Sequence, residues 1–436
     1  MASRTFASFA IRNFRYFFIG GLLSNIGTWI QRIAQDWLVL TQLTAGSSST
    51  LGIVTALQFI SIPFLSPYAG AVADRVSKRK LLFITQAAQA LVALAMWSVV
   101  VTGTVQLWHM YVLATVQGIV QSFDAPARQA FVSEMVGMQY ITNAVGLNSM
   151  SFNGARLIGP GVAGFLIAAF HDDVAPALLI NALTFVAMLV ALVAMKPAEL
   201  FLSPRAERKG AAREGIKYVA NHPDIVVLLV VVFMLGTFGL NFQIFNATMA
   251  TEVFERGSGE YGLLGTIQAV GTLGGALMAA RRRVPRLRTI LIALAVFSVS
   301  MVALALSPSY WTFAVFLIPA GFAALTVLTS ANTAIQLSVD PEFRGRVMSI
   351  YMAINMGGTP IGAPIIGWIG DIFGPRASIL VGAGATGLCV LGVIVYFMLH
   401  SGMRLGIERE NRMPHLVARW PHDGRWDIDP EQYVCR

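Results

Sequence analysis

Four ionisable side chains lie inside long apolar stretches of this sequence, where a charge is costly to bury and usually serves a function. Arg32 and Asp36 are four residues apart, so they share one face of a helix and can form an ion pair. Buried carboxylic acids in such stretches often relay protons, which makes Asp36 the first candidate for a proton carrier and Glu252 the second. A static ion pair between Arg32 and Asp36 is the alternative, and the sequence leaves both open.

A second set of side chains could line a cavity for a small molecule. Arg156 falls near the middle of its apolar stretch, where it either binds an anionic group or neutralises a buried carboxylate. Amides and aromatic rings in these stretches either face a cavity or pack and bond against neighbouring helices. Besides Arg32 and Arg156, the cavity candidates are Asn25, Trp29, Gln58, Phe238, Asn241, Phe242, Phe245, Gln268 and Asn355.

No metal site, cofactor or enzyme activity is predicted. The two cysteines, Cys389 and Cys435, have neither disulfide nor metal-ligand spacing. The glycines between Gly382 and Gly387 fit a dinucleotide pattern, but no strand precedes them and no acidic residue follows at the proper distance. No stretch or turn assembles a nucleophile, a base and a metal-binding group.

The composition indicates that much of the surface faces lipid. Of 436 residues, 56% are hydrophobic and 12% are charged, whereas soluble domains carry roughly 25% charged residues. The net charge of +9 does not indicate nucleic-acid binding. The basic residues lie in alternate turns between apolar stretches and form no basic face with interleaved aromatic residues.

The apolar stretches predict the elements that must position the candidate residues. A membrane-spanning helix needs about 20 apolar residues. The sequence therefore predicts an all-α membrane protein with twelve transmembrane helices. The predicted spans are 14–43, 50–73, 81–103, 107–130, 140–170, 174–195, 224–250, 259–281, 287–307, 309–337, 344–373 and 376–399.

Basic residues in the turns predict which side of the membrane each turn occupies, because cationic turns stay in the cytoplasm. Four basic residues lie between 75 and 80, after the second span, and five arginines lie between 281 and 288, after the eighth span. The turns on the opposite side carry almost none. We therefore expect both termini of this multi-pass protein in the cytoplasm.

The two halves of the chain look like copies of each other in a pseudo-symmetric arrangement. Residues 51–59 align with 261–269, which matches Gln58 to Gln268, and residues 158–166 align with 361–369. Paired six-helix halves are typical of transporters with a binding site between them at the midplane. The predicted organisation is a six-helix half over 1–195, a cytoplasmic linker over 196–222, a second six-helix half over 223–399 and an irregular cytoplasmic tail over 400–436.

Over nearly its whole length the sequence resembles the major facilitator superfamily. The segment from Gly70 to Lys80 is similar to the signature loop of that superfamily between spans 2 and 3. The small residues of span 5 are similar to its antiporter signature, with two glycines replaced by alanine. The run from Gly27 to Trp37 resembles the drug and siderophore exporter branch, which includes enterobactin and macrolide exporters. The matched positions in span 5 are Gly146, Gly159, Pro160 and Gly164, with Ala155 and Ala163 at the replaced glycines.

The resemblance implies a cytoplasmic gate made by Gly70, Asp74, Arg75 and Arg128. Asp74 would face the amino end of span 11, where the helix dipole favours an anion, and Arg128 would be its charged partner. A similar spacing between Gly367 and Asp371 falls at the opposite end of span 11, so it is not counted as a copy of this gate.

The resemblance also implies a function. The expected protein is a secondary active transporter, a proton-coupled exporter (antiporter) of small amphipathic molecules such as drugs or siderophores, working by alternating access. Its expected partners are a small-molecule substrate, protons and membrane lipid, without nucleic acid, cofactor or metal, and it would act as a monomer in the bacterial inner (plasma) membrane. The alternatives are an importer or facilitator of a polar nutrient and a membrane sensor or scaffold without transport.

Overall fold

The structure, a computed structural model, describes residues 4–201, 212–280, 287–400, 404–410 and 413–419. Long helices dominate it, because a backbone in lipid must satisfy its hydrogen bonds within the segment. The helices of the first half are α1 (Arg12–Trp37), α2 (Ser48–Arg75), α3 (Lys78–Val101), α4 (Leu107–Met135), α5 (Ile141–Ala169) and α6 (Ala175–Ala194).

The second half follows a short linker helix, α7 (Ala212–Ala220). Its helices pack on one another as those of the first half do, with α10 on α12 and α11 on α14. They are α8 (Pro223–Met234), α9 (Phe242–Thr248), α10 (Ser258–Ala280), α11 (Leu287–Ala305), α12 (Tyr310–Ser338), α13 (Arg344–Phe373) and α14 (Pro375–His400).

Nine segments of the described residues are long and apolar enough to cross a membrane. The other three long helices, α1, α4 and α13, have 26, 29 and 30 residues but lack an equally apolar continuous stretch. The polar residues in these three helices include the charged candidates Arg32, Asp36 and Arg128. The helical segments coincide with the predicted spans, and the chain is a multi-pass membrane protein.

The predicted seventh span, 224–250, is not one regular helix. A π-helical turn at Leu235–Gly239 ends α8, and a second one at Met249–Val253 follows α9. Helix α13 packs closely on the π-helical turn at Leu235–Gly239, where a side chain at Gly362 would collide with the backbone of Thr237. Asn241 donates a hydrogen bond to the Thr237 carbonyl (2.7 Å), which satisfies a backbone group near the break.

The same close helix contact occurs in both halves, in agreement with the sequence repeat. Gly118 of α4 packs against the backbone of Gln58 in α2, and Gly321 of α12 packs against the backbone of Gln268 in α10. Gln58 and Gln268 are the pair matched by the repeat. Small residues allow such close contact between helices in lipid, where packing rather than the hydrophobic effect holds helices together.

The linker and the tail both contain regular structure. In the linker, α7 packs on the second half: Tyr218 donates a hydrogen bond to Asp340 (3.2 Å), and Glu214 pairs with Arg346 (3.0 Å). In the tail, strands β1 (Arg404–Glu410) and β2 (Met413–Arg419) form an antiparallel pair. The described part of the tail thus contains a strand pair, and the predicted all-α membrane fold is confirmed for the described residues of the two halves.

Candidate functional site

The two halves contact each other along α2 and α13 and along α5 and α10. We name the two ends of the molecule by the residues of α2 that lie there, the Ser48 end and the Gly70 end. Helix α13 runs antiparallel to α2, so that its last residues lie at the Ser48 end. The contacts between the halves differ at the two ends, and this difference defines the site.

Asp371 closes the Ser48 end by capping a helix of the other half. It lies in the last turn of α13, and its carboxylate accepts hydrogen bonds from the amides of Ser48 (2.6 Å) and Ser49 (3.1 Å) and from the Ser47 hydroxyl (3.1 Å). The first amides of a helix have no partner within it, and the helix dipole there favours an anion. Gly367, one turn earlier, lets the helices meet, because Ser48 occupies the space of its missing side chain.

Small residues seal the second contact at the Ser48 end. Gly164 of α5 and Gly262 of α10 approach so closely that neither has room for a side chain, and Pro160 packs on Gly265. The Ser258 hydroxyl donates a hydrogen bond to Asp172 across the same contact (2.7 Å). Pro160 and Gly164 of the span 5 signature therefore lie at the interface of the halves, and α5 continues through Pro160 without a break.

At the Gly70 end, three described glycines have open space beside them. The space that a side chain would fill at Gly70 of α2 holds no other atom within 4 Å, and the same is true at Gly146 and Gly154 of α5. Among the glycines of the span 5 signature, Gly146 is the one with no neighbouring atom within this distance. We call the region between the halves the cleft: the described contacts close it at the Ser48 end, and these three glycines have open space at the Gly70 end.

Asp36 lies at the closed end of this cleft, where the second half holds it. Its side chain is buried, and its Oδ2 accepts hydrogen bonds from the Gln243 amide (3.2 Å) and the Tyr261 hydroxyl (3.1 Å). The Tyr261 ring is fully buried and stacks on Trp37, with 6.2 Å between the ring centroids. None of the ion pairs among the described residues joins Arg32 to Asp36, and the hydrogen bonds of Asp36 to other side chains go to the second half.

Arg32 and Arg156 lie against the same aromatic ring. The guanidinium carbon of Arg32 is 5.0 Å from the centroid of Trp29 and 4.9 Å from that of Phe59, and the guanidinium carbon of Arg156 is 5.6 Å from Trp29. Trp29 packs against α5 at Gly159, where its Cβ occupies the space of a side chain. Asn25, one turn before Trp29, donates a hydrogen bond to the Ser151 hydroxyl (3.4 Å).

Gln58 does not face the cleft, because it belongs to a buried amide network inside the first half. Its Nε2 donates hydrogen bonds to Gln35 and to Gln117, both at 3.2 Å. Separately, the side-chain amide of Asn181 donates a hydrogen bond to that of Gln31. Gln58 is 5% exposed, which corrects its placement as a cavity residue in this conformation. Gln268 occupies the equivalent place in the second half and accepts a hydrogen bond from Asn246 (3.2 Å).

Most aromatic candidates of the second half are core residues. Phe242 and Phe245 are 5% and 1% exposed, and the Phe242 ring meets Phe245 and Phe297 edge to face. This packing corrects their placement in a cavity. Asn241 is buried at the break after α8, whereas Phe238 and Asn355 are half-buried near the same break. The described charged and aromatic lining of the cleft thus comes mainly from the first half.

The structure describes the side chains of Arg75 and Arg128 in the predicted gate at the Gly70 end. Arg128 pairs with Asp124 of its own helix (3.1 Å), and its Nη1 is buried without a partner. Arg75 is exposed, and the side chain of Asp74 lies outside the described residues. A neighbouring basic residue, Lys78, forms a buried ion pair with Glu134 (2.8 Å) and so does more than set topology.

Glu252, the second proton candidate, lies at the Ser48 end in the π-helical turn after α9. It is exposed and forms no hydrogen bond or ion pair with the other described residues. Within the described part of the chain no group of three His, Cys, Asp or Glu side chains could hold a metal ion. Of the two proton candidates, Asp36 is therefore the one that forms described hydrogen bonds between the halves.

Sequence reasoning did not find Tyr261, Phe59 or the role of Asp371. Tyr261 and Phe59 look like ordinary aromatic residues at the two ends of the aligned segments 261–269 and 51–59. The spacing from Gly367 to Asp371, equal to that from Gly70 to Asp74, was the available signal for the Ser48 end.

Comparison with known proteins agrees with the fold and with the resemblance. The family described as transmembrane secretion effector matches residues 3–420. A staphyloferrin A transporter of Staphylococcus aureus is 24% identical over 400 residues, covering 91% of this chain and 98% of the relative. The multidrug efflux pump Tap of Mycolicibacterium fortuitum is 24% identical, with coverage of 86% and 93%. An enterobactin exporter of Shigella boydii is 22% identical, with coverage of 88% and 91%.

Solved structures share the fold at low sequence identity. The nucleoside transporter NupG superposes with a TM-score of 0.68 at 15% identity, covering 88% of this chain and 99% of that one. A D-xylose-proton symporter superposes with a TM-score of 0.67 at 14% identity, covering 89% and 97%. These two likenesses concern the fold of the two helical halves alone.

Proposed function

The chain belongs to the transmembrane secretion effector family of the major facilitator superfamily, and on this premise we propose that it is a proton-coupled exporter of small amphipathic molecules. Its relatives include transporters named for a siderophore and for multiple drugs, which supports export of compounds of this size and character. Both halves and the cleft are formed by one chain, and the proposed working unit is a monomer in a bacterial inner membrane.

The observation that carries this proposal is the position of Asp36 within the contact that closes the cleft. Alternating access requires the halves to separate at one end and to meet at the other. The hydrogen bonds from Gln243 and Tyr261 to Asp36 exist only while the Ser48 end is closed. A proton on Asp36 therefore acts directly on the contact that must open.

Protonation of Asp36 weakens this contact. An ionised carboxylate accepts hydrogen bonds at both oxygens, and such charge-assisted bonds are roughly twice as strong as neutral ones. A protonated carboxyl group loses that advantage and must also place its own hydrogen. Proton binding thus favours separation of the halves at the Ser48 end and couples proton movement to the conformational change.

The proposed orientation places the Gly70 end in the cytoplasm. The basic turn from Arg75 to Lys80 lies at this end, and cationic turns remain on the cytoplasmic side. The structure then represents the inward-facing state, in which a cytoplasmic substrate has access to the cleft. Closure of the gate that includes Gly70, Asp74, Arg75 and Arg128 would accompany opening at the Ser48 end.

Transport in proteoliposomes tests the proposal, with a lipophilic cationic dye and a catechol siderophore offered separately under an imposed pH gradient. We expect gradient-driven accumulation by the wild type, its loss in Asp36→Asn, and its retention in Asp36→Glu, which keeps an ionisable group. Exchange without a gradient should survive in Asp36→Asn, because the cleft is intact. Accumulation by Asp36→Asn at the wild-type level would place the proton site elsewhere, and import against the expected direction would favour the nutrient importer.

A further inference from the structure

Two guanidinium groups near the contact of the halves have no carboxylate within ion-pair distance among the described residues. Arg32 and Arg156 form no ion pair and no hydrogen bond with these residues, and the guanidinium of each lies over an aromatic ring. Asp36 is close enough to attract Arg32, but its Oδ2 accepts hydrogen bonds from Gln243 and Tyr261 of the other half. Charged residues that are buried in proteins are normally paired, so two unpaired arginines in one cleft require an explanation.

The nitrogens of these arginines are available to a ligand. Both residues are half-buried, although they lie far from the ends of their helices. Their nitrogens are not sealed within the protein without a partner. Arg128, in contrast, has a nitrogen that is sealed within the protein. The nitrogens of Arg32 and Arg156 therefore keep accessible surface, and each guanidinium offers five N–H groups.

We propose that Arg32, Trp29, Phe59 and Arg156 form a binding site for the acidic group of an anionic aromatic substrate, one that carries carboxylate or phenolate oxygens. This inference rests on the proposed transport function and narrows its substrate class. Guanidinium groups bind carboxylates through two parallel hydrogen bonds, which a lysine could not reproduce. The rings of Trp29 and Phe59 supply flat apolar surfaces against which an aromatic part of the same molecule can stack.

The geometry suits a substrate with two acidic groups. Both guanidinium carbons lie within 5.6 Å of the centroid of Trp29, so they can be no more than about 11 Å apart. One planar molecule can span this distance and reach both arginines. A lipophilic cation would instead face two like charges in a poorly hydrated cleft, where repulsion is stronger than in water.

Gly159 fixes the ring on which this site depends. The Cβ of Trp29 occupies the space of a Gly159 side chain, so a larger residue at 159 would displace the indole from between α1 and α5. The signature glycine of α5 thereby has a role in the cleft as well as in helix packing. Gly159→Ala should weaken anion binding without removing a charge.

Terephthalate, a planar aromatic dicarboxylate, is the probe, and its neutral diamide and the cation tetraphenylphosphonium are the comparisons. Binding is measured by calorimetry on the purified full chain. We expect terephthalate to bind and the diamide to bind at least tenfold more weakly. Arg32→Gln and Arg156→Gln should each weaken terephthalate binding tenfold or more, and Arg156→Lys should recover only part of this loss. Arg12→Gln is the matched control, because Arg12 also lies over a ring, that of Tyr16, but is not in the cleft.

Each result either supports or overturns the proposal. The anionic site is overturned if the wild type does not bind terephthalate, or if binding is unchanged in both glutamine variants. It is also overturned if tetraphenylphosphonium binds more tightly than terephthalate and its binding is unchanged in the arginine variants. The variants are first checked for wild-type thermal unfolding, and Arg156→Lys keeps the test valid if a glutamine variant fails to fold. Arginine-dependent binding without gradient-driven transport would leave the site in place and refute the exporter. Transport of a cation that is independent of both arginines would do the reverse.

Discussion

Replacing Asp371 with alanine should shift the protein from the state closed at the Ser48 end to the state open there. The substitution removes three hydrogen bonds of 2.6 to 3.1 Å and the charge that faces the N-terminus of α2. Loss of a helix cap costs about 0.5–2 kcal/mol, and a charge at a helix N-terminus contributes about 0.3–1 kcal/mol. Because water can replace some of these bonds in the open state, we expect a net shift of about 2 kcal/mol, or roughly 30-fold in the ratio of the two states.

Distances between spin labels measure this ratio. In a background without Cys389 and Cys435, labels at Thr41→Cys and Ile372→Cys, both exposed at the Ser48 end, report its opening. A second pair, Lys80→Cys and Glu342→Cys, reports closing at the Gly70 end. In Asp371→Ala the first distance should lengthen and the second should shorten in the same fraction of molecules.

Asp173→Ala is the matched control for this experiment. Asp173 also caps a helix at the Ser48 end, by accepting a hydrogen bond from the Ala175 amide (2.9 Å), but it lies in the same half as that helix. This variant should lose stability without changing the ratio of states. Equal label distances in wild type and Asp371→Ala, or equal changes in both variants, would refute the reasoning that the cap joins the halves.

Three further predictions concern other contacts of the described residues. Tyr261→Phe keeps the ring on Trp37 but removes one hydrogen bond to Asp36. A hydrogen bond to a charged acceptor contributes about 1.5–3 kcal/mol, so the spin labels at the Ser48 end should show more of the open state. Gly164→Val should prevent closure at the Ser48 end and reduce transport to under about a tenth of the wild-type rate, because the contact with Gly262 has no room for added methyl groups. The control Gly384→Val, at an open surface position, should leave closure and transport unchanged. Lys78→Met should lower the free energy of unfolding by about 3–5 kcal/mol, because it leaves Glu134 buried and unpaired. The double variant that also carries Glu134→Leu should recover most of the lost stability, measured as thermal unfolding in detergent.

The helical spans and the close-packing glycines could be predicted because local sequence decides them. Hydropathy over about 20 residues marks a span, and small residues at 159 and 164 mark a close contact wherever the partner helix lies. The break at Leu235–Gly239 was not predicted, because its cause is the approach of Gly362 from α13, more than a hundred residues away. Local hydropathy contains no trace of that contact.

The orientation of individual side chains could not be predicted from spans that are apolar on all sides. The sequence makes Trp29 as plausible a cavity residue as Phe242 and Phe245, although the latter two are core residues in the structure. No polar face of these helices distinguishes the cleft from the core. The partners of Asp36 were missed for a related reason. Arg32 is its neighbour within the helix, whereas Gln243 and Tyr261 belong to the other half, and the hydrogen bonds between halves exist only in one conformation.

The antiparallel arrangement of α2 and α13 explains why an acidic residue near the end of each helix can matter. Helix α13 brings its C-terminal turn to the N-terminus of α2, so a carboxylate there meets unpaired amides and the positive end of the helix dipole. Asp371 makes this contact with α2 at the Ser48 end. Asp74 holds the equivalent place in α2 with the same four-residue spacing from a glycine, and its predicted target is the start of α13 at the Gly70 end. If the halves rock as rigid bodies, only one of the two caps can form at a time, and the free energy difference between them sets the resting state. Removing Asp371 alone should therefore favour closure at the Gly70 end, and a second substitution of Asp74 in the same chain should reverse part of that shift.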